Sequence, residues 1–156
     1  MADLNDQQHS REDLLRNTRQ QHDRLTAQLA QLSDEQMTQP GVTEGWSVKD
    51  HLVHLTWWAR RVMDMLGGAP DPIPALGLPD PNDDTINARV QELSRERPLA
   101  EVRTDFDTTY QDVLRFIAEV PEETLMARYG WISGNTDDHY AEHAAMLEAW
   151  RAQRQA

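Results

Sequence analysis

Hydrophobic residues recur every three or four positions along this chain, and that spacing constrains its fold more than any other feature. Val102, Phe106, Tyr110, Val113, Ile117 and Val120 step by 4, 4, 3, 4 and 3, and Leu14, Thr18, His22, Leu25, Leu29 and Leu32 repeat the same steps. Such a series lies on one face of an α-helix, whereas on a strand it would scatter over both faces. Ser10 with Asp13 three residues on marks the start of a helix over about 10–33. Ser47 with Asp50 marks a second over about 47–66, stapled at its entry by Trp46 and stopped by Gly67-Gly68. A short helix is expected at about 85–96 and long ones at about 99–120 and 136–154, the last opening near Asn135 or Thr136 with Asp138 in its first turn. Residues 67–84 hold five of the eight prolines and read as a stiff connection between the second and third long helices. The expectation is an all-α chain, a single four-helix bundle over 1–156 with a long Pro-rich crossover.

Composition narrows the chemistry. With no cysteine among 156 residues, disulfides, thiolate nucleophiles and Cys-based zinc or iron–sulfur sites are excluded, so any metal must rest on His, Asp or Glu. Lys49 is the sole lysine, which removes a phosphate-binding P-loop. Twenty-seven acidic residues against 15 basic ones give a net charge of -12, from which nucleic acid and anionic membranes are expected not to be partners. No run of about 18 apolar residues and no signal-like N-terminus is present, so the expected location is the cytoplasm.

Six histidines carry the remaining possibilities. His139 and His143 share a stripe with Met146 and Trp150, stepping by 4, 3 and 4. Two imidazoles one helical turn apart can converge on one ion. The second long helix offers His51 and His54 as a third ligand. Around Leu55, His51 lies about 40° and His54 about 100° from the centre of the apolar face, so periodicity favours His51 while Trp58 and Met65 share the His54 side. His22 reads as a core histidine, and His9 as a solvent-exposed one ahead of the first helix. His139-Tyr140-Ala141-Glu142-His143 matches an H-x-x-E-H peptidase pattern, but only 13 residues follow it, too few for that class's distant Glu ligand. Glu142 and Tyr140 are the candidates for proton transfer, and Trp57, Trp58, Trp131 and Trp150 the candidates to wall a substrate pocket.

Gly45-Trp46-Ser47-Val48-Lys49-Asp50 followed by Val53-His54-Leu55 resembles the W-S-x-x-[DE]-x-L-x-H-L signature of the DinB/YfiT-like superfamily of metalloenzymes. Gly134-Asn135-Thr136, with His139-Tyr140 and Glu142-His143, is similar to the G-N-T-x-x-H-Y-x-E-H element of its ClbS/DfsB branch. Thr38 to Val42, Asn87-Ala88-Arg89 and Arg97-Pro98-Leu99 follow in the family's order, so the resemblance spans about 10–152. It implies a four-helix bundle holding a divalent metal, zinc first with nickel as the alternative, on His54, His139 and His143. It implies further a metal-dependent enzyme that acts on a small organic electrophile by hydrolysis or transfer of an external low-molecular-weight thiol, in detoxification or self-protection. The alternative is a non-catalytic bundle that sequesters a small molecule. A homodimer is expected, because so small a bundle with five Trp should leave an apolar strip uncovered.

Overall fold

The structure, a computed structural model, describes residues 10–155, so His9 lies outside the described residues. The described chain is all-α: α1 (Arg11–Leu29), α2 (Asp34–Thr38), α3 (Val48–Leu66), α4 (Asp83–Ser94), α5 (Leu99–Glu119), α6 (Glu122–Gly134) and α7 (Asp137–Arg154), with one 3-10 turn at Pro74–Leu76. The four expected long helices are α1, α3, α5 and α7. Two compact units divide these elements, the first made of residues 1–32 and 110–156 and the second of residues 33–109.

In the first unit α1 lies along α7, and α6 packs on both. Leu14, Leu25, Val113, Ile117, Leu125, Ile132, Ala144 and Leu147 are fully buried there, and the burial of such side chains, at about 25 cal/mol per Å² of apolar surface, drives the packing. Polar clips fix the register of α1 on α7. Arg24 pairs with both oxygens of Glu148 at 2.6 Å, and Arg151 donates to Gln28 Oε1 at 2.6 Å. Half-exposed as it is, the Arg24 pair adds at most about 1 kcal/mol and acts mainly on geometry.

The first helix is shorter than the expected 10–33. Ser10 accepts from the Asp13 amide at 3.1 Å, but α1 ends at Leu29 and a separate turn, α2, begins. A second capping box explains the break: Ser33 accepts from the Gln36 amide at 3.1 Å while Gln36 Oε1 accepts from the Ser33 amide at 2.9 Å. An N-cap needs extended backbone, so the helix cannot run through residue 33. Helix α6, in a segment for which no helix was expected, lacks a clear apolar stripe: only Leu125, Ile132 and Ser133 are buried along it. Thr136 precedes α7 but makes no cap to it. Its hydroxyl donates back to Ile132 O at 2.7 Å. Met146, expected in the core, is only half-buried, and Tyr140, Ala144 and Leu147 take the inner positions.

In the second unit α3 packs on α2 and α4. The Pro-rich crossover is tied to both neighbours, by a bidentate Arg61–Asp71 pair at 3.0 and 2.9 Å and by Arg89 Nε donating to Leu76 O at 3.3 Å. Asn82 and Thr85 form the capping box that opens α4. Among the described residues the large exposed hydrophobics are Leu93 and Met126, one in each unit. No helix of the described residues is long and apolar enough to cross a membrane.

The entry to α3 is the most constrained backbone here. Glu44 and Gly45 have φ of 44° and 87°, as the two central residues of a type I′ turn require. Trp46 N donates to Thr43 O at 2.7 Å, and Trp46 O accepts from Gly41 N and Val42 N. Ser47 and Asp50 then close the capping box, at 2.9 and 3.2 Å. A Cβ on Gly45 would meet nothing within 4 Å, so Gly45→Ala tests backbone strain alone. It should cost about 1 kcal/mol, as should Ser47→Ala through the lost cap. Each should lower the melting temperature by about 2–4 °C in calorimetry.

Candidate functional site

In the first unit the site begins at the α6–α7 junction. Asn135 Nδ2 donates to Trp131 O at 2.8 Å, and Ser133 Oγ donates to Asp137 Oδ1 at 2.7 Å. Asp137 is buried, and desolvation raises its pKa against the opposing Ser133 hydrogen bond. These bonds hold the first turn of α7, from which His139 and His143 follow one turn apart. Their ring centroids are 4.8 Å from each other at 79°. His143 is buried and His139 half-buried.

Of the residues expected near them, Glu142 is exposed and Tyr140 is 1% exposed. Tyr140 lies edge-on to Tyr110, with centroids 6.4 Å apart, and to His22 at 6.1 Å, while His22 stacks on Tyr110 at 3.4 Å. Burial pushes the Tyr140 phenol well above its ordinary range, first by desolvation and then through Tyr110, so it stays protonated at any physiological pH. Trp131 is half-buried near the end of α6. Trp150 is buried two turns beyond His143, about 10 Å along the axis at 1.5 Å per residue, and packs under Arg154 at 4.9 Å.

In the second unit α3 brings His51 and His54 under one indole. Trp46 meets His51 edge-on at 5.3 Å and His54 at 5.1 Å, and Trp58 lies 6.4 Å from His54. Trp46 thus staples the helix entry as expected, and its partner at the fourth helical position is a histidine. His51 Nε2 bonds Thr43 Oγ1 at 2.9 Å. Desolvation holds both imidazoles down to about 4; the His54 charge adds to the shift of His51, and a hydrogen bond with Asn87 opposes that of His54. Asn87 Oδ1 also accepts from Trp58 Nε1 at 2.8 Å. The role of Asn87 was not legible from spacing, although it stands inside the quoted motifs. Trp57 meets Trp58 at 4.9 Å and faces a different cleft.

The helical wheel does not separate His51 from His54. Residues 51 to 56 are buried without a break, so this turn of α3 has no solvent side, and angular distance from Leu55 loses its meaning.

Comparison with known proteins follows from this geometry. The profile of the mycothiol maleylpyruvate isomerase N-terminal domain matches residues 18–151, and the chain belongs to that family, within the DinB/YfiT-like superfamily to which its motifs pointed. No curated protein matches. Two solved structures share the all-α bundle fold. One is the colibactin self-resistance protein ClbS in complex with double-stranded DNA, with a TM-score of 0.77, 15% identity, and coverage of 92% of this chain and 96% of that one. The other is an uncharacterised protein of Escherichia coli UTI89, with a TM-score of 0.74, 18% identity, and coverage of 94% and 95%.

The ClbS complex corrects one expectation. Net charge was expected to exclude nucleic acid, yet this fold is found on a DNA duplex. Net charge is a whole-chain sum, whereas phosphate contact depends on the few cations within about 8–10 Å, beyond which salt screens the rest.

Buried neutral His51 makes stability depend on acid. In the unfolded chain histidine titrates near 6.5 and in the fold near 4. Below pH 6.5 the unfolded state takes up protons that the folded state refuses, so stability falls from pH 6.5 to about 4 and then levels. For His51 the loss is on the order of 3 kcal/mol. Urea unfolding of chelator-treated protein at pH 7 and pH 4 should show a decline shallower by about that much in His51→Leu than in the parent.

Proposed function

We propose that the protein is a metal-dependent enzyme acting on a small organic electrophile, with His54, His139 and His143 holding one divalent ion. The single observation that carries this reading is the paired imidazoles of α7, one turn apart and drawn inward where an apolar side chain would pack without cost. The donor set fits: the three histidines could together hold a metal ion, and all-nitrogen sets suit zinc, with nickel the alternative. An ion held by three imidazoles supplies Lewis acidity at a coordination position left open.

The chain's own residues prepare that chemistry. Burial keeps His54 neutral at pH 7, so its lone pair is available without losing a proton. Trp46 and Trp58 cover His54, and Asn87 fixes its ring through the hydrogen bond between them. Glu142, an exposed residue on α7, is the group able to accept a proton from an arriving nucleophile. Tyr140, held protonated, orients α7 from inside the first unit. The family description names a thiol, mycothiol, and with no cysteine in this chain an external low-molecular-weight thiol is the nucleophile for transfer, with water in that role for hydrolysis.

Protein purified without nickel resin should retain about one divalent ion per chain after dialysis. His54→Ala, His139→Ala and His143→Ala should each abolish retention, while His51→Ala should keep the ion and lose about 1 kcal/mol or more of stability. Full retention in both helix-α7 variants would overturn the site. Metal loss in His51→Ala with retention in His54→Ala would reverse the assignment within α3.

The ClbS complex favours a second reading, a self-protection protein that binds without turnover, sequestering a small molecule or engaging duplex DNA. Fluorescence anisotropy of a labelled duplex decides its DNA arm: binding should weaken steeply between 50 and 200 mM salt if phosphate contacts carry it. An unchanged anisotropy at low salt removes that arm.

A further inference from the structure

The second unit carries a cleft remote in sequence from the α7 histidines, with a volume of about 230 Å³, lined by α3, α4, the start of α5 and Pro72 of the crossover. Three guanidiniums, of Arg60, Arg61 and Arg97, line it together with two carboxylates, of Asp64 and Asp105. Asp105 is gripped at both oxygens. Arg60 Nη2 lies 3.5 Å from Oδ1 and Arg97 Nη2 lies 3.2 Å from Oδ2. Arg97 reaches Glu101 as well, at 3.0 Å, and Arg61 is engaged by Asp71.

A carboxylate between two guanidiniums is the arrangement by which arginine recognises carboxylate ligands, because the planar forks match the two oxygens. Asp105 is half-exposed, so the grip on it is open to exchange. Val53, Trp57 and Val90 give the cleft an apolar wall. Thr56 is 6% exposed, and its hydroxyl has no hydrogen-bond partner. Helical threonines ordinarily return that proton to a carbonyl one turn back. Thr56 is thus a buried hydroxyl with unused capacity next to the cleft.

We propose that this cleft binds a small organic carboxylate with a flat apolar body, its carboxylate taking the place of Asp105 between Arg60 and Arg97 and its ring lying against Trp57. The volume is below the range of drug-sized pockets, which suits one ring and one acid group. The planar guanidinium forks on Asp105 and the apolar wall suit a flat carboxylate better than phosphate. The site is independent of the metal reading and stands or falls separately from it.

Benzoate titrated into 15N-labelled protein at constant ionic strength, followed by the Trp indole N–H resonances, provides the test, with Trp57 assigned through Trp57→Phe. Saturable shifts at Trp57 in the millimolar range are expected. Arg97→Gln should weaken binding about tenfold or more, the scale of a lost charge-assisted bond. Asp105→Asn removes the internal competitor and should tighten binding several-fold, a gain that mere structural damage would not produce. It also keeps the test open if circular dichroism shows Arg97→Gln unfolded. Absence of saturable shifts in both the parent and Asp105→Asn would overturn the proposal. So would equal binding of benzyl alcohol, which lacks the charge, or of inorganic phosphate, which lacks the ring.

Discussion

The desolvation of neutral imidazoles on α3 is the constraint on which the candidate site rests. Placing His51 and His54 where water cannot reach them suppresses their charged forms, and a structure that does so must supply polar partners in return. Thr43 supplies one to His51 and Asn87 one to His54. Both partners come from outside α3, so the turn before the helix and the helix after the crossover are bound to the same pair of rings. The positive φ angles of Glu44 and Gly45 serve this end: they reverse the chain so that Thr43 and Trp46 arrive together above the first turn. Local backbone strain is thereby exchanged for satisfied buried nitrogen, a trade common where a site is preorganised.

Much of this was readable in the sequence because it is written in short-range rules. The stripes of α1 and α5 and the Ser47–Asp50 cap follow from periods and offsets of three or four residues, which a linear reading can see. Helix α6 was not readable, because its burial is confined to Leu125, Ile132 and Ser133, and what defines its end is side-chain bonding from Thr136 and Asn135 back to carbonyls. The break between α1 and α2 was missed for a related reason: Ser33 lies one residue past Leu32, which continues the apolar rhythm, and a cap outranked the stripe. On α3 the wheel does not discriminate, because it assumes a solvent side, whereas six consecutive residues are buried. The family motif reads position in place of angle and so does not depend on a solvent side.

Charge shows the same contrast between sums and places. A total of -12 says much about solubility and long-range fields and little about a cleft in which three arginines face two aspartates. In the second unit most arginines are already committed to named acids, Arg61 to Asp71 and Arg97 to Glu101 and Asp105. Its electrostatics are therefore a network of exchangeable pairs, and ligand selectivity within it depends on which pair yields first.

The division of the chain between the units has a consequence for biosynthesis. The second unit is one continuous stretch, residues 33–109, whereas the first is assembled from segments on either side of it. On the ribosome α1 therefore emerges before the second unit and waits for α7, since the Glu148 that receives Arg24 and the Leu147 of the core are made only after it. Until then Leu14, Leu25 and Leu29 have no α7 to cover them. The interior of the first unit closes only after the second has had time to form, and a nascent chain stalled short of α7 carries an amphipathic helix in search of a partner.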